Sequence, residues 1–153
     1  MESKENYLPG ENLLGGYHEL DGTIEFYGRI NAILKVSDSI LDLGAGRGSW
    51  NYSEYSSYTR EIRDLKNKVK YLVGIDIDDA VLKNPTTHKN MTMSWDKIPL
   101  ENNSMDIVLA DWVLEHIQNT TQFTVEIDRV LKPGGYFVLE LLININMFLY
   151  LQV

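Results

Sequence analysis

Three glycines follow an apolar run in the segment ILDLGAGRG, and a single carboxylate precedes them. Gly44, Gly46 and Gly48 are spaced two apart, and Asp42 stands two residues before the first of them. Glycine lets the chain turn sharply and lets a ligand approach the backbone closely, because no Cβ stands in the way. A dinucleotide loop of the form G-x-G-x-x-G would need glycine where this chain has Ser49. A carboxylate here suits a cationic ammonium or sulfonium group better than a pyrophosphate.

A second carboxylate closes the segment YLVGID. Asp76 ends an apolar run with the length of a buried strand. An acid at this place in a nucleotide-binding sheet accepts hydrogen bonds from ribose hydroxyls, so we predict a ribose contact at Asp76. Both features also have plainer interpretations, namely glycines that only shape a strand-to-helix turn and an ordinary solvated acid in a loop.

Alternating strands and helices must position these residues. Apolar runs predict buried strands at 39–43, 71–76, 105–111 and 136–142, and a weaker alternation predicts one at 91–95. Apolar spacing of three and four predicts helices over 21–34 and 55–69, and another around Phe123 and Ile127 that ends at KPGG. Strands that are apolar on both faces and alternate with helices form a parallel sheet covered on both sides.

The predicted fold class is therefore α/β, a Rossmann-like three-layer sandwich with a mostly parallel central sheet. Ligands of such sheets bind beyond the carboxyl ends of the strands, which places Gly44, Ala45 and Gly46 against a bound molecule. A chain of 153 residues suits one domain. We divide it into an N-terminal helical segment (1–37), a cofactor-binding core (38–142) and an apolar tail (143–153).

Composition narrows the function classes. There are 22 acidic and 14 basic residues, which leave a formal charge of −8, and the basic residues form no cluster, so we expect no nucleic-acid partner. The absence of cysteine excludes disulfides and thiolate metal sites, and the first residues lack a signal-peptide pattern. The apolar stretch near the C-terminus has polar interruptions and is too short for a membrane span. We therefore expect a cytoplasmic domain with no membrane contact.

Four segments between residues 40 and 140 resemble, in order, the motifs of the class I S-adenosylmethionine-dependent methyltransferases. They are ILDLGAGRG, YLVGIDID, DKIPLENNSMDIVLADWVLEHI and EIDRVLKPGGYFVLE. The resemblance is closest to the broad small-molecule group that includes quinone-biosynthesis methyltransferases. It implies S-adenosylmethionine as cofactor, bound across the carboxyl ends of strands 1, 2 and 4, and methyl transfer to a small-molecule or sugar-like acceptor.

The resemblance also implies roles for individual positions. Gly44 and Gly46 would line the methionine moiety of the cofactor, and Asp42 would help to fix its amino group. Asp76 would hold the ribose, and Ile77 would pack on the adenine.

The chain departs from the family pattern in three places. One is Trp112, which stands three residues before Glu115, where similar quinone O-methyltransferases that bind a divalent cation have an acid, so we expect no metal. The family usually has an acid five residues before Pro99 to receive the adenine amino group, but this chain has Ser94 there. Its neighbours Trp95 and Asp96 would replace that acid by stacking or by hydrogen bonding. The family sheet also continues past strand 5, whereas this chain ends about where strand 5 should end, so we expect the C-terminal strands of the family fold to be missing.

Five further residues near the expected site have open roles. For an oxygen acceptor, His116 would act as general base, with local packing on a helix as the alternative. Asp111 would lie beside the methionine moiety or the acceptor, or cap a helix. Tyr27, Trp50 and Trp112 would flank the sulfonium or shape the acceptor pocket, unless they belong to the core.

Three functions remain open at this stage. The first is methyl transfer to a small molecule, and the second is a non-catalytic, methyltransferase-like partner subunit or a truncated cofactor-binding domain. The third, a nicotinamide-dependent oxidoreductase, is disfavoured by the glycine spacing. The tail LININMFLYLQV alternates like a strand and leaves an apolar sheet edge, through which we expect a homodimer.

Overall fold

The computed structural model describes residues 22–51, 57–94, 97–141 and 147–152, which form one sheet with helices on both sides. Its strands are β1 (Ser39–Leu43), β2 (Tyr71–Asp76), β3 (Lys89–Thr92), β4 (Met105–Asp111), β5 (Leu131–Leu141) and β6 (Met147–Gln152). Its α-helices are α1 (Thr23–Ile33), α2 (Ser57–Arg63) and α3 (Thr120–Val130), and short 3-10 segments lie at Ser49–Asn51, Asp79–Lys83 and Leu114–His116.

The six strands lie in the order β3-β2-β1-β4-β5-β6. Neighbouring strands from β3 to β5 pair in parallel, and β6 pairs antiparallel with β5. The strand order reverses beside β1, between β2 and β4, and ligands of open parallel sheets bind at such a point. The predicted α/β, Rossmann-like class with a mostly parallel sheet is confirmed.

Alternate residues of each strand face opposite layers, and both faces are apolar. Helices α1 and α2 cover one face, where Phe26, Ile30 and Ile62 pack on Ile40 and Leu109. Helix α3 covers the other face; it contributes Phe123, Ile127 and Val130, which pack among buried strand residues such as Leu41 and Val108. Burial on both faces explains why the strands are continuous apolar runs.

Helix α2 is shorter than the spacing of apolar residues predicts. Within the described part of residues 55–69, the helix ends at Arg63, and the amide of Leu65 donates to the carbonyl of Arg63 at 2.8 Å in a tight turn. Leu65 and Val69 are nevertheless buried in the same core. These two side chains therefore reach the core from a turn, and their spacing does not indicate that the helix continues.

Two further boundaries differ from the prediction. Strand β3 begins at Lys89, because its pairing with β2 starts where Lys89 lies opposite Val73. Helix α3 passes directly into β5, and the KPGG residues form an irregularity of the β4–β5 ladder between the pairs Met105–Leu131 and Ile107–Tyr136. Register with the neighbouring strand decides both boundaries, and a single sequence does not reveal register.

The predicted tail strand is present as β6, so the edge left open by β5 is occupied within the chain. The outer edge of this sheet is β6 itself, and pairing of two copies through it stays a prediction. None of the helices in the described residues has the length and apolar character needed to cross a bilayer.

Candidate functional site

Three carboxylates meet at the carboxyl edge of the sheet. Asp42 in β1 lies opposite Gly74 in β2 and Leu109 in β4. Asp76 and Asp111 each stand two residues further along those strands, so all three side chains project from the face that α1 and α2 cover. The register of three adjacent strands thus gathers acids that are far apart in sequence.

A cavity of about 450 Å³ opens at this edge. Of the residues that sequence analysis assigned to a site, it is lined by Asp42, Gly44, Ala45, Gly46 and Asp111. Three aromatic side chains that sequence analysis left open, Tyr27, Trp50 and Trp112, also line it.

The loop after β1, residues 44–48, is called the glycine loop here. It needs glycine at positions 44 and 46 for different reasons. Gly44 has a φ of +69°, and a Cβ built on it would clash with the side chain of Val113. Gly46 has a φ of +50°, and the nearest atom to a Cβ there is the Gly44 carbonyl oxygen at 4.0 Å. The space that a Cβ of residue 46 would fill is therefore open, as close approach of a ligand requires.

The side chain of Asn84 supports the glycine loop by hydrogen bonds to its backbone, a role that sequence analysis missed. Its side-chain amide donates to the carbonyls of Ala45 at 2.9 Å and Gly46 at 3.1 Å. Its Oδ1 accepts from the backbone and the hydroxyl of Thr86, and the side chain is buried. Gly48 packs against Asn84 so closely that a Cβ would clash. Only the spatial contact reveals this role, because Asn84 next to a proline is typical of a simple helix stop.

The substitution Asn84→Asp is expected to lower the free energy of unfolding by about 2–3 kcal/mol at neutral pH. A carboxylate keeps the shape and the acceptor but cannot donate to the two loop carbonyls. Urea denaturation of the variant measures the loss, and part of it should return in acid, where the carboxyl regains a donor. The matched control is Asn103→Asp, because Asn103 is exposed and its φ of +51° suits Asp equally well. Equal losses of stability in the two variants would contradict the role assigned to Asn84.

Asp76 connects the glycine loop to the end of β2. Its Oδ2 accepts from the amide of Gly46 and its Oδ1 from the amide of Asp78, both at 2.9 Å. Each carboxylate oxygen has a second lone pair and can accept another hydrogen bond. Ile77, the next residue, is 49% exposed and presents an apolar surface beside this carboxylate.

Asp42 is the electrostatic centre of the site. Burial, followed by the nearby carboxylate of Asp111, raises the pKa of Asp42 to about 7. The guanidinium of Arg63 acts in the opposite direction, and Asp76 adds further repulsion. A cation in the cavity would favour the ionised form of Asp42, so the electrostatics of the site favour a positively charged ligand group.

Asp111 is held by two residues from the covering helices. The Tyr27 hydroxyl donates to its Oδ2 at 3.1 Å, and the Nη2 atom of Arg63 lies 3.5 Å from the same oxygen. Burial and the Asp111 carboxylate raise the pKa of Tyr27, so this hydroxyl keeps its proton and acts as a donor. Trp112, directly after Asp111, has a φ of +54°, a conformation that costs strain in a bulky residue and is common at functional sites.

Arg63 is a second residue that sequence analysis missed, since it lies in the charged run REIRDLKNK. The spacing of Thr59, Ile62 and Arg63 places all three on one helical face, and Thr59 and Ile62 are buried. That spacing was the available indication that Arg63 points inward.

Four predicted site residues are not among those that line the cavity. Asp76 and Ile77 lie beside it at the end of β2, and Asp76 is joined to the glycine loop through the amide of Gly46. His116 is exposed in the 3-10 segment before α3 and is not among the residues that line the cavity. Its role as general base stays a prediction without support from this geometry. Trp95, predicted beside the adenine, lies outside the described residues.

Comparison with known proteins agrees with this geometry. Residues 41–139 match the family described as Methyltransferase domain. An uncharacterized methyltransferase of Schizosaccharomyces pombe is 30% identical over 110 residues, which cover 67% of this chain and 39% of that protein. Phosphoethanolamine N-methyltransferase 1 of Triticum aestivum is 26% identical over 114 residues, which cover 67% of this chain and 21% of that protein.

The fold has relatives among solved structures. The YcgJ protein from Bacillus subtilis superposes with a TM-score of 0.59 at 21% identity, over 75% of this chain and 49% of that one. The chain thus spans about half or less of the length of each of these three relatives. The family match covers more than half of the chain and includes the glycine loop, Asp76 and Asp111. The chain therefore belongs to the class I S-adenosylmethionine-dependent methyltransferases, a family whose cofactor is S-adenosylmethionine.

Proposed function

We propose that this domain binds S-adenosylmethionine and transfers its methyl group to a small-molecule or sugar-like acceptor. The observation that carries the proposal is the cavity at the carboxyl edge, which Asp42 and the glycine loop line, together with the hydrogen bond from the amide of Gly46 that joins Asp76 to that loop. The pair offers one carboxylate for a cationic group and one for a ribose.

The residues present fit this cofactor. The methionine moiety would lie on the backbone of Gly44, Ala45 and Gly46, where residue 46 leaves room for a ligand. Asp42 would face its ammonium group. Asp76 would accept the two ribose hydroxyls with its remaining lone pairs, and the exposed Ile77 would cover the adenine.

For methyl transfer, the protein mainly has to align the acceptor with the methyl group of the cofactor. When bound, the cofactor would supply a methyl group on a sulfonium; the acceptor's lone pair would bond to the methyl carbon as its bond to sulfur breaks in line, S-adenosylhomocysteine would leave, and no covalent intermediate on the protein would form. Trp50 and Trp112 would shape the acceptor side of the cavity and exclude water. For a hydroxyl acceptor, Asp111 would receive the proton, because Tyr27 keeps its own proton and donates only a hydrogen bond to Asp111.

The name of the wheat relative supports a small acceptor, since that protein is a phosphoethanolamine N-methyltransferase. The cavity volume of about 450 Å³ lies within the range of small-molecule sites and suits the cofactor. The support for a metabolite as the acceptor therefore comes from the relative.

Isothermal titration calorimetry tests the proposal directly. We expect saturable, one-site binding of S-adenosylmethionine and S-adenosylhomocysteine and no detectable binding of NAD. Preferential binding of NAD would favour the oxidoreductase instead. Binding of S-adenosylmethionine without turnover of any amine or hydroxyl acceptor would favour the non-catalytic partner subunit.

A further inference from the structure

Two side chains from outside α2 donate hydrogen bonds to its carboxyl end. The last carbonyls of an α-helix lack the amide partners of the helix interior, so they need other donors. Near the end of α2 at Arg63, the carbonyl of Glu61 accepts from the Nζ atom of Lys68 at 2.6 Å. The carbonyl of Ile62 accepts from the side-chain amide of Asn31 at 2.8 Å. Both donors therefore stabilise the place where the helix stops.

Asn31 joins this end of α2 to the turn of α1 that carries Tyr27. Its side-chain amide donates to the carbonyl of Tyr27 at 2.6 Å as well as to that of Ile62. Its Oδ1 accepts from the Nζ atom of Lys68 at 2.7 Å. A carboxamide offers two N–H donors and an acceptor oxygen, and Asn31 uses both kinds of group here. Neither leucine nor aspartate could make these three hydrogen bonds.

The arrangement bears directly on Arg63, which follows Ile62 and is the last residue of α2. The Cζ atom of Arg63 lies 4.8 Å from the centre of the Tyr27 ring, and its Nη2 atom lies 3.5 Å from Oδ2 of Asp111. The Tyr27 hydroxyl donates to the same oxygen. Asn31 therefore connects the backbone segments that carry the two side chains converging on Asp111.

The position of Arg63 matters for the charge of Asp42. Burial and the Asp111 carboxylate raise the pKa of Asp42, and the guanidinium of Arg63 acts against them. Coulomb attraction weakens with distance, so a displaced guanidinium would oppose protonation of Asp42 less. The charged and titratable groups around Asp42 are Asp76 from β2, Asp111 from β4, Tyr27 from α1, Arg63 from α2 and Arg47 from the glycine loop.

We propose that Asn31 and Lys68 are positioning residues, which fix the end of α2 so that the guanidinium of Arg63 faces the carboxylates of the cavity. Both lie outside the lining of the cavity, so they act through Arg63. Their effect on Asp42 is a property of the ligand-free domain. The consequence for the cofactor rests on the proposed function, because a protonated Asp42 does not attract an ammonium group.

A titration followed by NMR of the carboxyl carbons measures the pKa of Asp42 in the ligand-free domain, and Asp42→Asn assigns its signal. Asn31→Leu keeps the approximate size of the side chain and removes its three hydrogen bonds, so it should raise the pKa of Asp42 by about 0.5–1. Lys68→Met keeps the aliphatic stem and removes two hydrogen bonds. It should raise the pKa of Asp42 by a smaller amount.

The matched controls lie on the turn that follows α2. Asn67 is exposed and donates to the side chain of Asp64 at 2.7 Å, and Lys66 donates to the carbonyl of Pro85 at 2.8 Å. Neither contact reaches α1, so Asn67→Leu and Lys66→Met should leave the pKa of Asp42 as it is in the unsubstituted protein. Thermal denaturation reports whether each variant is folded.

A double-substitution cycle with Arg63→Met decides whether the effect passes through Arg63. Arg63→Met alone should raise the pKa of Asp42, because it removes the opposing charge, and Asn31→Leu added to it should raise that pKa no further. An equal rise from Asn31→Leu in both backgrounds overturns the inference, and so does a folded Asn31→Leu with an unchanged pKa of Asp42. If Asn31→Leu does not fold, Lys68→Met decides by the same criteria.

Calorimetry with S-adenosylmethionine separates this inference from the proposed function. Near pH 7, a rise of one in the pKa of Asp42 lowers its ionised fraction from about a half to about a tenth, so Asn31→Leu should bind about fivefold less tightly. At about pH 8.5 Asp42 is mostly ionised in both proteins, and the affinities should agree within about twofold. A loss of affinity that is the same at both pH values contradicts the inference. If the unsubstituted protein does not bind S-adenosylmethionine, the proposed function fails and the NMR titration still decides the role of Asn31.

Discussion

Asp76→Ala is expected to weaken the binding of S-adenosylmethionine about 100-fold. Two ribose hydroxyls that donate to one carboxylate would contribute about 3 kcal/mol together, and each 1.4 kcal/mol is a factor of ten in affinity. The substitution also removes the acceptor for the amide of Gly46, so the glycine loop loses a support at 2.9 Å. Calorimetry with S-adenosylmethionine measures the combined loss.

The control for this prediction is the neighbouring acid. Asp78 is exposed, and its carboxylate accepts from the amide of Ala80 at the start of a 3-10 segment. Asp78→Ala should therefore cost a little stability and leave the affinity within about twofold. Asp76→Asn keeps one acceptor oxygen and the shape of the side chain, so its affinity should fall between those of the other two. Unchanged affinity in Asp76→Ala would remove the ribose assignment.

Asp42→Asn is expected to raise the stability of the domain and to lower its affinity for the cofactor. The folded protein holds the Asp42 carboxyl in a place where ionisation is unfavourable, since burial and Asp111 raise its pKa to about 7. An amide of the same shape carries no charge and avoids this cost. It also cannot attract the ammonium group of the cofactor, so stability and affinity should change in opposite directions.

The expected pH dependence of this effect follows from linkage. The unfolded chain loses the Asp42 proton near pH 3.8, whereas the folded chain keeps it to about pH 7. Between these values the unfolded state binds fewer protons, so this carboxyl makes stability fall as the pH rises. The two proteins should be equally stable below about pH 3, and Asp42→Asn should be more stable by about 2–4 kcal/mol from pH 7 upward.

Urea denaturation at several pH values measures this difference, and Asp106→Asn provides a control of opposite sign. The hydrogen bond from Lys132, followed by one from the amide of Ser39, lowers the pKa of Asp106 despite partial burial. Asp106 therefore stabilises the fold above the pKa it has in the unfolded chain and loses that contribution in acid, so Asp106→Asn should be less stable at pH 7. A gain of stability in Asp42→Asn that does not depend on pH would contradict the buried-charge account.

Much of the site was accessible from the sequence for a topological reason. The carboxyl ends of parallel strands lie along one edge, so residues that follow each strand must meet there. Asp42, the glycine loop and Asp111 could be assigned to one cavity wall on this basis, and all of them line it. Asp76 is joined to the same wall through the amide of Gly46.

Residues outside the strand ends could not be assigned in this way. Arg63 lies within a charged run, and Asn84 precedes a proline, so local pattern gives each of them an ordinary explanation. His116 was assigned by its distance along the chain from β4, but the 3-10 segment that carries it leaves the side chain exposed. After the backbone leaves a strand, the number of residues from the strand end does not predict where a side chain points.

The sequence by itself determined the alternation of strands and helices and the chemistry at the strand ends, because both follow from local periodicity and from a topology with few alternatives. Only the tertiary structure decided where α2 ends, which charged side chain turns inward and which buried amide supports the glycine loop. These features depend on contacts between segments far apart in the chain, whose energies no local pattern contains.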